Sequence, residues 1–393
     1  MTEIVILSAV RTPIAKFQGA LSTLKAAEIG AVAAKAALER AGLKPDQIDE
    51  VIFGNVLQAG QHQNPARQVQ LACEIPVEVG AVTINKVCGS GMKAVHLAAQ
   101  AIKAGDAEVV LAGGMESMTN TPYYLLKARD GYRLGNGEVV DGMVHDGLWD
   151  VYNNYHMGNT GELVAEKYGI TREMQDEWSA ASHQKAAKAQ ADGKFKAEIA
   201  PVHIPRKKLD PIVFDTDEGV RADSTAAGLG KLRPVFKADG GTVTAGNASQ
   251  LSDGAAALII TSAAKAKALG CEPIARLAGY ATGGMAPEWV MMTPVSAVKN
   301  LEKKGFDRKK FDLYEFNEAF ASQACALPKE LELDPAKINV NGGAVALGHP
   351  IGCSGARILV TLIHALRDRG LSTGLASLCM GGGNGLASAI EII

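Results

Sequence analysis

Aromatic residues make up only 5% of this 393-residue chain, which leaves little for stacking on nucleobases. Charge of one sign is equally scarce. A net charge of -2 gives no basic footprint for nucleic acid or for an anionic membrane surface. No apolar run reaches the roughly 20 residues that a membrane span needs. The opening Met1-Thr2-Glu3-Ile4-Val5-Ile6-Leu7 carries an acid and too short an apolar run for a signal peptide. The closing Glu391-Ile392-Ile393 matches no address signal, so a cytoplasmic location is expected. The six cysteines (73, 88, 271, 325, 353, 379) lie far apart, without the C-x-x-C spacing of zinc or redox sites. No metal is expected, and a reducing compartment fits. Cys73, Cys271 and Cys325 read as small, inert hydrophobes.

What the chain does have is glycine. There are 43, with Gly-Gly pairs at 113–114, 240–241, 283–284, 342–343 and 381–383, the pattern of tight turns beside buried strands. Short Val/Ile-rich runs alternate with Ala-rich helical stretches. Residues 4–9, 51–56 and 109–112 read as strands, and 26–41 (with Gly42 at C′) and 93–104 as helices. That alternation predicts an α/β architecture with a largely buried sheet.

The last third repeats the first. Ser90-Gly91-Met92-Lys93-Ala94-Val95-His96-Leu97 lies over Ser354-Gly355-Ala356-Arg357-Ile358-Leu359-Val360-Thr361. Asp49–Phe53 echoes Asp312–Phe316, and Glu108–Gly114 is matched to Leu375–Gly381. Two related α/β halves follow: 1–118, completed by about 250–270, and 271–393. Between them, 119–249 holds most of the charge clusters and one clear helix, 172–191, ending near Gly193. An insertion this long between matched halves points to function. Its charge runs, 206–208 and 215–218, read mainly as solvated faces, with phosphate binding as the minor alternative.

Three glycine-rich segments carry chemistry. In Thr83–Ala94 a β-like run ends at Cys88 and a helix starts just after it, placing the sulfur where unpaired N–H groups favour a thiolate. Cys88 is a candidate nucleophile, against the alternative of a structural cysteine. In Asn339–Gly355, His349 precedes a proline, and by the repeat it opens on the same sheet end as Cys88. It can take a thiol proton or donate to an oxyanion. In Gly374–Gly385 an apolar run delivers Cys379 into a glycine turn whose N–H groups can form an oxyanion hole. A dinucleotide fingerprint fails there, because only eight residues follow Gly385. A fourth segment, Glu315–Phe320, presents Asn317 to hold a water or a carbonyl. Two thiols and an imidazole suit reversible acyl transfer with proton movement at an α-carbon. A hydrolase would need no second thiol.

These segments, together with Tyr155–Gly158 and Thr242–Ser249, resemble the thiolase family, its acetyl-CoA acetyltransferase branch in particular, over essentially the whole chain. The resemblance implies the thiolase fold: two topologically alike halves in five αβαβα layers, with 119–249 as a loop domain holding CoA. It implies Cys88 as the acylated nucleophile, Cys379 as the acid/base at the α-carbon, and His349 as activator of Cys88. His349 and a water on Asn317 would bind one oxyanion, and the N–H groups of Cys88 and Gly381 a second. Around CoA it points to Leu148, His156, Met157, Arg221, Phe236, Ala245, Ser249, Ala319 and Phe320. No permanently bound cofactor is implied; the partners are acyl-CoA substrates and other copies of the chain, as a dimer or tetramer. Four departures bear on chain length: Gly228 for a serine, Met291-Met292-Thr293-Pro294 for a longer glycine-containing segment, Gln250 for a glycine, and Asn159-Thr160-Gly161 for Ile-Thr-Ala. A thiolase acting on longer 3-ketoacyl-CoA is therefore the alternative. A decarboxylating ketoacyl synthase would lack Cys379, and a non-catalytic carrier would have lost one of Cys88, His349 and Cys379.

Overall fold

The computed structural model describes residues 2–393. In the first strand, β1 (Ile4–Arg11), Val5 and Leu7 enter one apolar cluster and Ile4 and Ile6 another, so both faces are buried. Eight further strands complete the main sheet: β2 (Glu50–Gly54), β3 (Gly80–Ile84), β4 (Val109–Ser117), β5 (Ser252–Ser262), β6 (Ala275–Gly284), β7 (Leu313–Phe316), β8 (Thr373–Met380) and β9 (Asn384–Ile392). Their order is β3-β2-β4-β5-β1-β6-β9-β8-β7, with the two residues Ala15–Lys16 added beside β5. β3, β2 and β4 run parallel, as do β7 and β8; the remaining neighbours are antiparallel. Only two residue pairs, Val5 with Arg276 and Ile6 with Ala275, join β1 to β6. That seam divides the sheet into two like halves.

The helices are α1 (Ala26–Ala41), α2 (Ser90–Ala104), α3 (Met157–Tyr168), α4 (Arg172–Ala191), α5 (Thr293–Glu302), α6 (Ala321–Leu331) and α7 (Ile351–Asp368), besides shorter turns. α2 and α7 share one buried cluster with residues from both half-sheets, whereas α1 packs outside the first half and α5 and α6 outside the second. The layering is αβαβα. Nearly every side chain of α7 is buried, the polar Ser354, Arg357 and Thr361 included, as befits a helix enclosed between two half-sheets. The close approach of α2 to α7 depends on a related pair of glycines. A Cβ on Gly91 would lie 2.7 Å from the Ala356 nitrogen, and one on Gly355 would lie 2.5 Å from the Met92 nitrogen.

The repeat is real, but one of its expected matches is out of register. Asp49 Oδ2 accepts from the N–H groups of Glu108 and Val109, and Asp312 Oδ2 accepts from those of Ser372 and Thr373. Glu108 therefore corresponds to Ser372, not to Leu375, and Met115 to Cys379. The wrong match rested on Ala/Gly composition alone.

The insertion also differs from expectation. α4 spans the expected residues, capped by Thr171, but α3 is a second full helix that starts from a His156 cap. Its glycines, Gly158 and Gly161, have poor helix propensity and mask its pattern. In the 215–218 run Asp215 and Thr216 are solvated as expected, but Asp217 is not. Asp217 is buried, 2.6 and 2.8 Å from the Arg11 guanidinium, and Glu198 takes Arg11 Nε at 2.6 Å. Burial alone would lower the Arg11 pKa, but the two carboxylates overturn this and hold it above its ordinary value. Breaking such a buried pair costs about 3–5 kcal/mol, so this network pins the insertion to β1. Among the described residues no helix is long and apolar enough to cross a membrane, and no His/Cys/Asp/Glu group could hold a metal ion.

Candidate active site

β3 stops at Ile84, four residues before the candidate nucleophile, so Cys88 sits in a turn rather than at a strand end. Two side chains shape that turn. Asn85 Oδ1 accepts from the Val87 N–H at 2.9 Å; Ser90 Oγ accepts from the Lys86 N–H at 2.8 Å and donates to the Val87 carbonyl at 2.6 Å. Val87 is held at φ +46°, a strained conformation for a β-branched residue and of a kind that clusters at functional sites. The sulfur lies just ahead of α2, and the N–H groups of Gly381 and of Cys88 itself pull its pKa down. Burial wins, and the thiol is pushed up to about 12. The backbone N–H groups favour a thiolate, as expected, but do not outweigh burial, so the thiol proton has to leave during the reaction.

His349 follows Gly348, whose φ of +107° excludes a side chain. The histidine N–H bonds to the Gln250 carbonyl at 3.0 Å, and the Gln250 amide donates to the carbonyls of Gly219, Val345 and Ala346. Gln250, a departure from the family pattern, thus ties the His349 loop to the insertion. The imidazole Nδ1 is 2.6 Å from Ser354 Oγ in the first turn of α7, which leaves Nε2 as the ring's reactive end. Burial, with Arg357 adding to it, lowers the His349 pKa to about 3, so the ring is neutral. Asn317, just after β7, places Nδ2 3.4 and 3.5 Å from the two ring nitrogens, too evenly for a directed bond to either. Its Oδ1 is buried and has no partner among the described residues.

β8 delivers Cys379 from the second half, and the turn Gly381-Gly382-Gly383 reverses the chain into β9, with Gly382 and Gly383 at positive φ. The Cys379 thiol is 3.8 Å from Met291 Sδ, and burial raises it far above the ordinary thiol range, with Cys88 adding to the effect. Cys353, on α7, is wholly buried in the central cluster and is not in the wall of the cavity that Cys88 and Cys379 share.

Cys88, His349, Cys379 and Gly381 meet at one cavity of about 450 Å³. Leu148, His156, Met157, Phe236, Ala245, Ser249, Ala319 and Phe320 also line it. Phe236 stacks on His156 at 4.7 Å between centroids and meets Phe320 edge-on at 6.4 Å, an arrangement that fixes one wall. Two expected residues are not in the lining. Asn317 stands behind His349, and Arg221 is exposed, with its backbone N–H on His183 Nδ1 at 3.1 Å and its guanidinium against His183 Nε2 at 2.9 Å. Sequence reasoning missed Met118, Met143 and Ile351 in the wall, and Ser354 behind the histidine. The first two lie outside the glycine-rich motifs, and a serine at a helix start carries no catalytic signal of its own. Glu318, within the fourth motif, is structural: buried, it accepts from Trp178 Nε1, Ser182 Oγ, Asn339 Nδ2 and the Val345 N–H.

Residues 4–264 match the family description "Thiolase, N-terminal domain", and 271–392 match "Thiolase, C-terminal domain". The chain is 55% identical over 392 residues to the acetyl-CoA acetyltransferase of Cupriavidus necator, covering 100% of both chains. It is 54% identical over 388 residues to the enzyme of the same name from Pseudomonas aeruginosa, covering 98% of each. The crystal structure of the Bacillus anthracis acetyl-CoA acetyltransferase superposes with a TM-score of 0.97 at 46% identity, over 100% of this chain and 99% of that one.

Proposed function

The chain belongs to the thiolase family, and from that premise we propose that it is an acetyl-CoA acetyltransferase. It condenses two acetyl-CoA to acetoacetyl-CoA and CoA, and cleaves 3-ketoacyl-CoA in reverse, through an acetyl group on Cys88. The observation that carries this reading is the meeting of two thiols, Cys88 from one half and Cys379 from the other, at one cavity with a neutral imidazole.

In the first half-reaction Cys88 sulfur bonds to the acetyl carbon, the carbon–sulfur bond to CoA breaks, and the thiol proton passes through His349 Nε2 to the departing CoA sulfur. The N–H groups of Cys88 and Gly381, already directed at the sulfur, suit the tetrahedral oxyanion. In the second, the Cys379 proton moves to His349, and the Cys379 thiolate takes a methyl proton from a second acetyl-CoA. The enolate oxygen is held by His349 and by a water on the orphan Oδ1 of Asn317. The carbanion attacks acetyl-Cys88; the carbon–carbon bond forms, the carbon–sulfur bond breaks, and His349 returns its proton to the Cys88 sulfur. Atoms and charge balance without any further reactant. Because both thiols rest protonated, each gives up its proton to His349 in the course of its half-reaction.

CoA would lie along the Phe236–His156 wall, with Leu148, Met157, Ala245, Ser249, Ala319 and Phe320 around it and Arg221 at the exposed end. No permanently bound cofactor takes part. The loop-domain role of 119–249 and a dimeric or tetrameric assembly follow the family resemblance, and a cytoplasmic location is part of the same proposal. Met291 lines the cavity with its Sδ 3.8 Å from the Cys379 sulfur, and the bulk it places beside that thiol supports short acyl chains over the longer-chain alternative. The test is incubation with acetyl-CoA, an acid quench and peptide mapping by mass. Acetyl is expected on the Cys88 peptide, and its absence sinks the proposal. Cys379→Ala is expected to become acetylated but not to condense. Thiolysis of a graded 3-ketoacyl-CoA series reads chain length.

A further inference from the structure

β7 is an edge strand of the main sheet, only four residues long, and Asn317 follows its last residue. The Asn317 side chain makes no directed hydrogen bond, so its place is set by the elements around it. Its N–H bonds to the Ser377 carbonyl at 3.1 Å, which extends the ladder to β8 and leaves Asn317 on the same face as Glu315. On that face Glu315 meets α7. Its Oε2 lies 3.4 Å from Arg357 Nη1, and both side chains are only 1% exposed. Arg357 stands one turn beyond Ser354, so the two share a face of α7. The contacts close into a circuit. Ser354 holds His349 at 2.6 Å, and His349 faces Asn317 at 3.4 and 3.5 Å. Asn317 continues the strand from Glu315, and Glu315 pairs with Arg357, a turn away from Ser354.

As a stabilising device the Glu315–Arg357 pair is poor. Strong bonds between guanidinium and carboxylate run at about 2.7–2.9 Å, and here Arg357 Nε, Arg357 Nη2 and Glu315 Oε1 have no partner among the described residues. A buried pair so loosely matched is often no better for stability than apolar side chains of the same volume. Burial also pushes the Glu315 carboxyl up to about 8, against the pull of Arg357. What the pair does set is the distance between β7 and the first turns of α7, the elements that carry Asn317 and Ser354. We infer that Glu315 and Arg357 are positioning residues that hold Asn317 opposite His349 for the enolate step. This rests on the enolate-binding role proposed for Asn317 and His349. Cys88 acetylation uses His349, which Ser354 holds independently, so the pair acts on condensation alone.

Two variants separate this role from support of the fold. Glu315→Leu combined with Arg357→Met replaces the pair by apolar side chains and leaves no charge behind. Arg357→Met alone leaves a carboxyl that can stay protonated, and it provides a folded protein to assay if the double variant does not. In each, kcat for condensation should fall about 10- to 100-fold, since a displacement of about 1 Å at a reacting site can cost about 100-fold. KM for acetyl-CoA and the single-turnover rate of Cys88 acetylation should stay within about twofold of wild type, a split that identifies loss in one step. The denaturant midpoint of the double variant should equal or exceed that of wild type, so that stability and condensation move apart. A fall of midpoint, acetylation and condensation in step marks a merely structural pair and overturns the inference. Condensation within about twofold of wild type in both variants overturns it as well. Failure of the wild-type protein to acetylate Cys88 at all would instead count against the acetyltransferase reading, and so the two failures are distinguishable.

Discussion

Replacing Ser354 by alanine removes the one side chain that holds His349 by its inner nitrogen. The Nδ1–Oγ distance is 2.6 Å, and the ring is only 6% exposed, so no bulk solvent replaces the lost partner. The same hydroxyl lies 3.0 Å from the Pro350 carbonyl, but that carbonyl keeps the N–H groups of Cys353 and Ser354, so the helix start survives. The cost concentrates on the imidazole: a buried nitrogen left unsatisfied is worth about 1–3 kcal/mol. If it is met in the transition state of Cys88 acetylation, where Nε2 must carry a proton in a defined direction, the rate falls by about 10- to 100-fold. The assay is single-turnover acetylation by acetyl-CoA with rapid acid quench and mass mapping of the Cys88 peptide. Ser388→Ala is the matched control, since Ser388 Oγ bonds His96 Nε2 at 2.7 Å in an equally buried setting outside the cavity. It should lose comparable stability and keep its acetylation rate. If Ser354→Ala acetylates within about twofold of wild type, the hydroxyl does not orient the histidine and the reasoning fails.

Stability against pH has a worked sign. His96 and His349 are lowered by burial to about 3 and His183 to about 4, so unfolding takes up protons below pH 6.5 and each costs roughly 1.4 kcal/mol per pH unit. Glu116 and Glu315 are raised by burial to about 7 and about 8, so between those values and 4.5 the folded state binds the protons and gains stability as pH falls. From pH 6.5 to 4.5 the three histidines outnumber the two carboxyls by one, a net loss of roughly 1.4 kcal/mol per pH unit, and below 4.5 the two carboxyls no longer offset them. Denaturant midpoints should therefore decline gently from pH 6.5 to about 4.5 and steeply below it; midpoints that stay level throughout, or that fall no faster below pH 4.5, refute this balance. Gly348→Ala should lose about 1–3 kcal/mol from its backbone angle alone, and more from overlap with Ser252, read as a fall in denaturant midpoint.

Most of the layout was legible because its signals are local. α1 begins and ends where its alanine run and Gly42 place it, and the three glycine-rich motifs do converge on one cavity. What stayed hidden depends on contacts between distant segments. Asp217 reads as surface charge until Arg11, 206 residues away, is brought against it. At Cys88 the helix N-terminus that favours a thiolate is visible in sequence, and the desolvation that opposes it is not. Met118 lies outside every motif and Ser354 lies within one without a catalytic signal of its own, and only their neighbours give them a role.

The register Ser90–Ser354 sets a further relation: the position matching Cys88 is Gly352. A side chain there would run into Glu116 Oε2, 2.7 Å from its Cβ, and that carboxylate is already committed to the N–H groups of Val56, Leu57 and Gly352. The twofold likeness of the halves would otherwise allow a second nucleophile facing the other way. The molecule instead spends the mirror position on a clamp, Glu116 from one half gripping the first turn of α7 from the other. One half contributes the thiol that carries the acyl group and the other the groups that move protons around it. Severed at the linker between β5 and β6, neither piece would hold a complete set, and activity would return only if the two reassociated.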